Sequence, residues 1–479
     1  MQKLSQHYVN GNWVDPIGNT VFKLISPTTE KPIAEITLGN EGDVARAVSA
    51  AKAAFGSFSQ TSRQERVEIL DAIAKLYKER WSEIAKAMTA EMGAPSSLSD
   101  TLQAEMGAAH FETARDVLKD YKFEKTTDMS LIRKEPVGVC GFITPWNWPM
   151  NQIGCKAGPA IATGCTFVWK PSELSPLSAH ILTEIFDEAG VPAGVVNMVH
   201  GDGPTVGASI ASHPDIEMVS FTGSTRAGEA VAIAAAPGIK RVSQELGGKS
   251  ANILLDDLSG EALTNAVATG IDILAMNSGQ NCNAPSRMLA PRAKLEDIIG
   301  AAKEAAESIV LGDPNDPETQ MGPVISARQW GLIQGHIDTA ISEGLRLVTG
   351  GLGKPKDLET GYYVKPTIFV AKNNQASLAQ NEVFGPVLVI IPYDSDEEAI
   401  RIANDSEYGL SGYVFGEDLE RINRIAARMR TGMVHVNGIA GDMHAPFGGY
   451  KKSGNGREWG EFGFDEFLET KAVIGFRGE

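Results

Sequence analysis

The apolar positions of the chain recur with two periods. Val44, Val48, Ala51 and Phe55 return every three or four residues, and Val67, Leu70, Ile73, Tyr77, Trp81 and Ile84 make a second, longer stripe. Both read as helical faces, and a third helix is expected over 99–118. Ahead of them, Tyr8-Val9-Asn10-Gly11-Asn12-Trp13-Val14 reads as a hairpin, because Asn-Gly accepts the left-handed backbone of a tight turn. Residues 22–36 read as another extended pair, interrupted between Pro27 and Pro32. Residues 119–134 are charged, with an extended end at 129–132, and read as a surface excursion.

Beyond residue 136 short β-branched runs alternate with helical stripes. Strands are expected at 137–143, 166–170, 195–199, 218–222 and 240–243, with helices at 175–189, 205–212 and 226–235. That alternation predicts an α/β fold with a parallel, doubly wound sheet of Rossmann type, whose ligands bind beyond the carboxyl ends of the strands. A second α/β region follows: strand 251–255, helix 260–276, strand 288–290, helices 295–308 and 330–343, strand 387–393 and helix 397–404. Residues 471–476 form a last strand, whose edge a partner subunit or the chain itself could pair with.

The 479 residues suffice for two or three domains. The formal charge of −17 argues against a nucleic-acid or membrane-surface binder, while leaving room for an anionic ligand in a local basic pocket. No apolar run reaches the ~18–20 residues of a membrane span, and the polar N-terminus lacks a signal-peptide core. The four cysteines, Cys140, Cys155, Cys165 and Cys282, show neither CxxC spacing nor a Cys/His cluster, so no metal site is expected and a reducing cytoplasm is.

One cysteine stands apart. Ser278-Gly279-Gln280-Asn281-Cys282-Asn283-Ala284-Pro285 is a loop of small and polar residues, which lets a substrate approach the sulfur. A core cysteine would sit among Val, Leu, Ile and Phe instead. Phe142-Ile143-Thr144-Pro145-Trp146-Asn147-Trp148-Pro149 runs a strand into a stiff turn, where an Asn amide either caps its own turn or donates to a developing oxyanion. Gln244-Glu245-Leu246-Gly247-Gly248-Lys249 offers a carboxylate beside apolar and glycine residues, paired with Lys249 or desolvated into a base. Phe221-Thr222-Gly223-Ser224-Thr225 joins strand to helix as a phosphate-binding turn would. Lys170 and Glu173 stand at another strand end, where they are solvated charges or partners of a ribose.

Taken in order, these segments resemble the NAD(P)-dependent aldehyde dehydrogenases. The matches are Gly-Gln-Asn-Cys at 279–282, Pro-Trp-Asn-Trp-Pro at 145–149, Glu-Leu-Gly-Gly at 245–248, Lys-Pro-Ser-Glu at 170–173, Glu-Val-Phe-Gly-Pro at 382–386, and the late segments Val436-Asn437-Gly438 and Ala445-Pro446-Phe447-Gly448-Gly449. The resemblance implies Cys282 as nucleophile, Asn147 as oxyanion donor, Glu245 as general base and Lys156 in proton relay. It implies an NAD site, with NADP as alternative, built from Ile143, Thr144, Pro145, Trp146, Lys170, Ser172, Glu173, Gly203, Gly207, Phe221, Thr222, Gly223, Ser224, Leu246, Gly247, Glu382 and Phe384. Trp148, Asn151, Gln152, Cys155, Asn281, Asn283 and Phe447 would line the substrate tunnel. Their amides suggest an aldehyde with a polar or carboxylate group, unless they satisfy each other. The implied subunit has a dinucleotide-binding domain (1–118 and 137–249), a catalytic domain (250–455) and an oligomerisation element (119–136 and 456–479), and forms a homodimer or dimer of dimers. An acyl-CoA-forming relative would lack the base at 245, an idle binding protein would have lost Cys282 or Asn147, and a cysteine hydrolase would leave the cofactor motifs without a purpose.

Overall fold

Val139–Ile143, Thr166–Lys170, Val196–Met198, Met218–Thr222 and Arg241–Glu245 form the parallel centre of an eight-stranded sheet in a computed structural model that describes residues 1–476. Across the sheet the order is 241–245, 218–222, 139–143, 166–170, 196–198. The chain therefore proceeds in one direction after Ile143 and in the other after Thr222. The loops leaving these two neighbouring strands diverge and open a crevice at the carboxyl edge. Four of these five strands are buried from end to end, as a parallel sheet covered on both faces requires. The hairpin His7–Val9 and Asn12–Val14 extends the sheet on one side, turning through Asn10 and Gly11 at φ 53° and 72°. Gly454–Asn455 closes the other side, antiparallel to Gln244 and Glu245.

The second sheet has seven strands: Arg346–Thr349, Thr367–Val370, Val387–Tyr393, Arg287–Pro291, Ala251–Leu254, Ser411–Phe415 and Met433–Val436, parallel except for the first pair. Four of these were not anticipated, namely the first two and the last two. Each has only four or five residues, too few for the period to declare itself. In a third sheet Leu468–Ile474 pairs along its length with Ser130–Pro136, which pairs in turn with Glu124–Thr126. The excursion is thus part of a sheet. The last strand is held within its own chain, and its outer edge has no strand partner among the described residues.

Two expected helices are revised. The stripe from Val67 to Ile84 belongs to two helices, Arg63–Glu79 and Trp81–Met92, separated at Arg80 (φ −100°, ψ 13°). The Arg80 guanidinium binds Glu83, Glu184 and Glu188, two of them from the helix Pro176–Glu188, which fixes the bend. Tyr77 and Ile84 still reach one core, so the apolar period runs through the break unchanged. In the helix Glu41–Phe58, held at its start by a capping box of Asn40 and Asp43, Phe58 is buried and Phe55 only half so. Phe464, Phe467 and Leu468 pack into the core of the first sheet, so the C-terminal segment returns through that part of the molecule.

Candidate active site

The turn after Ile143 and the loop of Cys282 are fastened to each other. Asn147 is buried; its Nδ2 donates to Gln280 O at 3.0 Å, and its carbonyl accepts from Asn277 Nδ2 at 2.8 Å. The Trp148 indole donates to Asn281 Oδ1, and Asn281 Nδ2 donates to Met276 O at 2.7 Å. The helix Gly260–Ala275 ends just before, and Asn277 and Ser278 follow in the left-handed region, at φ 52° and 57°. Such residues cost on the order of 1–3 kcal/mol each unless their surroundings hold them. Here Ser278 Oγ donates to Gly322 O at 2.8 Å, and Gln280 Oε1 accepts from Ile325 N at 2.9 Å. The Glu-Leu-Gly-Gly loop lies against the cysteine loop so closely that a Cβ on Gly248 would meet the Cys282 carbonyl oxygen at 2.2 Å.

Glu245 is the last residue of its strand, and it is buried. Neither carboxylate oxygen has a hydrogen-bond partner among the described residues. Burial, and then the Glu458 carboxylate, push its pKa well above the ordinary carboxylate range. Cys282 is half-buried, and burial, Glu245 and Glu382 together push its thiol up. Lys156 is no surface residue: it is fully buried within the helix Pro149–Thr163, donating to Thr222 Oγ1 at 2.8 Å and to Glu458 Oε1. Burial lowers its pKa, but Glu458, Cys155 and Glu245 together outweigh that and the net shift is upward. Glu458 was missed in the sequence. It lies in Gly456-Arg457-Glu458-Trp459, which reads as a solvated charged run, and is drawn inward by reciprocal backbone bonds between Phe447 and Glu458 at 2.8 Å.

A cavity of about 320 Å³ occupies the crevice. One wall holds Pro145, Trp146, Asn147, Gln152 and Cys282; Thr222, Gly223, Ser224, Glu245, Leu246 and Gly247 form another; Glu382 and Phe384 complete the set expected from sequence. Phe384 meets Trp146 edge to face at 5.5 Å between centroids. Glu382 accepts from Gly248 N at 3.0 Å, and burial raises its pKa to about 7. Leu174, Ile325, Ser326, Arg328, Gln329 and Leu332 also line the cavity and were not anticipated. Most of them stand on or beside the first turns of the helix Ala327–Ser342, which docks when Gln329 Nε2 donates to Phe384 O at 2.9 Å.

Other expected residues stand outside this lining. Lys170 Nζ donates to Pro171 O, Gly201 O and Glu173 Oε2, at 2.7, 3.0 and 3.4 Å. Ser172 Oγ accepts from Leu174 N, and Thr144 Oγ1 from the Trp169 indole. Ile143 and Phe221 are buried in their strands, Gly207 is buried near Lys170, and Gly203 is exposed. Of the tunnel residues only Gln152 lines the cavity. Trp148 and Asn281 bind each other, Asn151 Oδ1 pairs with His110 Nε2 at 2.7 Å, and the Asn283 carbonyl accepts from Tyr413. Cys155 donates to Glu458 Oε2 at 3.1 Å, and Phe447 stacks on Trp459 at 4.8 Å.

The crevice at the carboxyl edge of the doubly wound sheet thus brings the Cys282 thiol and the buried Glu245 carboxyl group into one cavity. Residues 13–473 match the model of the aldehyde dehydrogenase family, and this chain belongs to that family. It is 52% identical, over the whole of both chains, to a 3-succinoylsemialdehyde-pyridine dehydrogenase from a Pseudomonas species. Among solved structures it resembles aldehyde dehydrogenase C of Pseudomonas syringae in complex with NAD+ and octanal (46% identity, TM-score 0.97, covering 99% of this chain and 97% of that one). A Mycobacterium tuberculosis aldehyde dehydrogenase complexed with NAD+ is similar over 99% of this chain and 98% of its own, at 38% identity and TM-score 0.95. The protein is an NAD(P)-linked oxidoreductase with the aldehyde dehydrogenase fold, and the family's general reaction is oxidation of an aldehyde to its acid.

Proposed function

We propose that Cys282 attacks the aldehyde carbonyl, Asn147 and the Cys282 N–H hold the oxyanion, and Glu245 activates the water that releases the acid. The supporting observation is that Cys282, Asn147 and Glu245 line one cavity, with Glu245 offering two unpartnered oxygens. Asn147 spends one amide N–H on Gln280 O and keeps the other for the substrate oxygen. A covalent thioester divides a difficult oxidation into two easier steps. When bound, NAD+ supplies the hydride acceptor. Trp146, Ser224, Glu382 and Phe384 would hold it along the cavity, with Lys170 and Glu173 on the adenosine ribose. A carboxylate at Glu173 favours NAD+ over the 2′-phosphate of NADP+. Lys156, tied to Glu458, fits a place in proton relay from Glu245. The presence of Glu245 favours hydrolysis over transfer to coenzyme A.

For the substrate we infer an aldehyde carrying a polar or carboxylate group, such as a semialdehyde. The name of the Pseudomonas relative supports this reading; the octanal complex of aldehyde dehydrogenase C speaks for alkyl chains. The bonds made by Asn151 and Asn281 remove part of the polarity expected of the tunnel. We further infer a cytoplasmic homo-oligomer with the division into 1–118 with 137–249, 250–455, and 119–136 with 456–479, the last segment passing back through the first core.

The test is an aldehyde panel followed by absorbance of the reduced cofactor, with NAD+ and NADP+ in parallel. Semialdehydes should give the highest kcat/KM, with NAD+ preferred; medium-chain alkanals as the best substrates would overturn the substrate reading. In the same assay Cys282→Ala should be inactive yet bind NAD+, and Asn147→Ala should lose on the order of 10²–10³ in rate. Glu245→Gln should give a burst of up to one equivalent of reduced cofactor and then stall. Turnover by Glu245→Gln at the wild-type rate would defeat the assignment.

A further inference from the structure

The cavity has two acidic side chains in its lining, Glu245 and Glu382, and one cationic side chain among the described residues, Arg328. Arg328 stands in the first turn of the sixteen-residue helix Ala327–Ser342, beside the N-cap Ser326. It is exposed, and none of the hydrogen bonds or ion pairs found among the described residues engages its guanidinium. Of the other cations near the crevice, Lys170 is held by two carbonyls and Glu173, and Lys156 by Thr222 and Glu458; Lys249, buried behind the loop of Gly247, is not part of the cavity lining. Ser224, which caps the helix Thr225–Ala235, lines the same cavity. The unpartnered, buried carboxylate of Glu245 marks the cavity independently as a place for a ligand.

A dinucleotide brings a pyrophosphate with two negative charges into this acidic crevice of an acidic protein. The backbone N–H groups of a capped helix start supply dipoles, but no full charge. We propose that Arg328 pairs with the cofactor pyrophosphate, and that this one side chain sets much of the affinity for NAD+ and the salt dependence of its capture. A guanidinium matches phosphate oxygens in a fork of two hydrogen bonds, which a lysine cannot reproduce. The proposal rests on the reading of the cavity as the dinucleotide site.

The experiment compares wild type with Arg328→Ala, Arg328→Lys and Arg328→Glu, all on an exposed helical position, with thermal melts to verify folding. KM for NAD+ should rise roughly five- to tenfold in Arg328→Ala, less in Arg328→Lys and more in Arg328→Glu, with the change in KM rather than kcat and with KM for the aldehyde little moved. Raising the salt should weaken NAD+ binding in wild type and much less in Arg328→Ala. ADP and adenosine, used as competitors, separate charge from shape: Arg328→Ala should lose inhibition by ADP and keep inhibition by adenosine. Equal KM and equal ADP inhibition in wild type and Arg328→Ala overturn the proposal while leaving the cofactor reading intact. A parallel loss of ADP and adenosine binding also overturns it, since the side chain would then serve the shape of the cleft. A wild type that reduces neither NAD+ nor NADP+ refutes the cofactor reading itself.

Discussion

At the scale of single residues, Lys249 shows how the loop behind Glu245 is built under electrostatic cost. Its Nζ is buried and has no hydrogen-bond partner among the described residues. Burial, and then the Arg287 guanidinium, pull its pKa from 10.5 down to about 7. Between those values the unfolded chain holds a proton that the native protein lacks, so this group makes stability rise with pH across that window. Below about pH 7 both states are protonated and the penalty is constant and largest. Lys249→Met keeps the length of the side chain and removes the charge. The variant should be more stable than wild type at pH 7, and the difference should shrink toward pH 10 in denaturant melts. Parallel stability curves for the two proteins would show that Lys249 is not held neutral.

At the scale of elements, the site depends on segments that approach more closely than side chains allow. The segment around Gly448 closes over Glu245. Gly448 has φ 149°, and a Cβ there would lie 2.7 Å from Glu245 Oε1, 2.9 Å from Gly456 O and 3.0 Å from Arg457 Cδ. A backbone oxygen cannot swing aside, so Gly448→Ala must shift the segment or the carboxylate. Displacing a base by about 1 Å can cost on the order of a hundredfold in rate. Turnover in Gly448→Ala should fall by at least roughly tenfold, while NAD+ binding, followed by protein fluorescence, should change little because Gly448 is outside the cavity lining. Loss of both together would mean that the whole crevice had rearranged.

At the scale of the molecule, the strand Leu468–Ile474 has an outer edge without a strand partner among the described residues, and apolar side chains at its end and just beyond: Val473 is 37% exposed, Ile474 79% and Phe476 38%. An edge of this kind invites pairing with another copy of the chain. If it serves the proposed oligomer, Val473→Asp with Ile474→Asp should lower the mass measured by light scattering toward that of a single chain, because charge is costly to bury at an interface. Pairing with Ser130–Pro136 within the chain should survive, since that ladder spans seven residues. An unchanged mass would remove this edge from the interface.

The sequence by itself determined the alternation of strands and helices from 137 to 245, and it marked the loops that carry Asn147, Glu245 and Cys282. Those loops sit between strong elements, and their Pro, Gly, Asn and Cys are unusual enough to be read locally. Only the tertiary structure decided that Glu458 is buried against Lys156, that Arg328 faces the cavity, and that Asn281 spends its amide on Trp148 and Met276. A charged or amide side chain has the same local sequence whether it meets water or a partner. Its fate is set by pairings between segments far apart in the chain: Gly454–Asn455 with Gln244 and Glu245, Phe447 with Glu458, and the helix Ala327–Ser342 with the carbonyls of Val383 and Phe384.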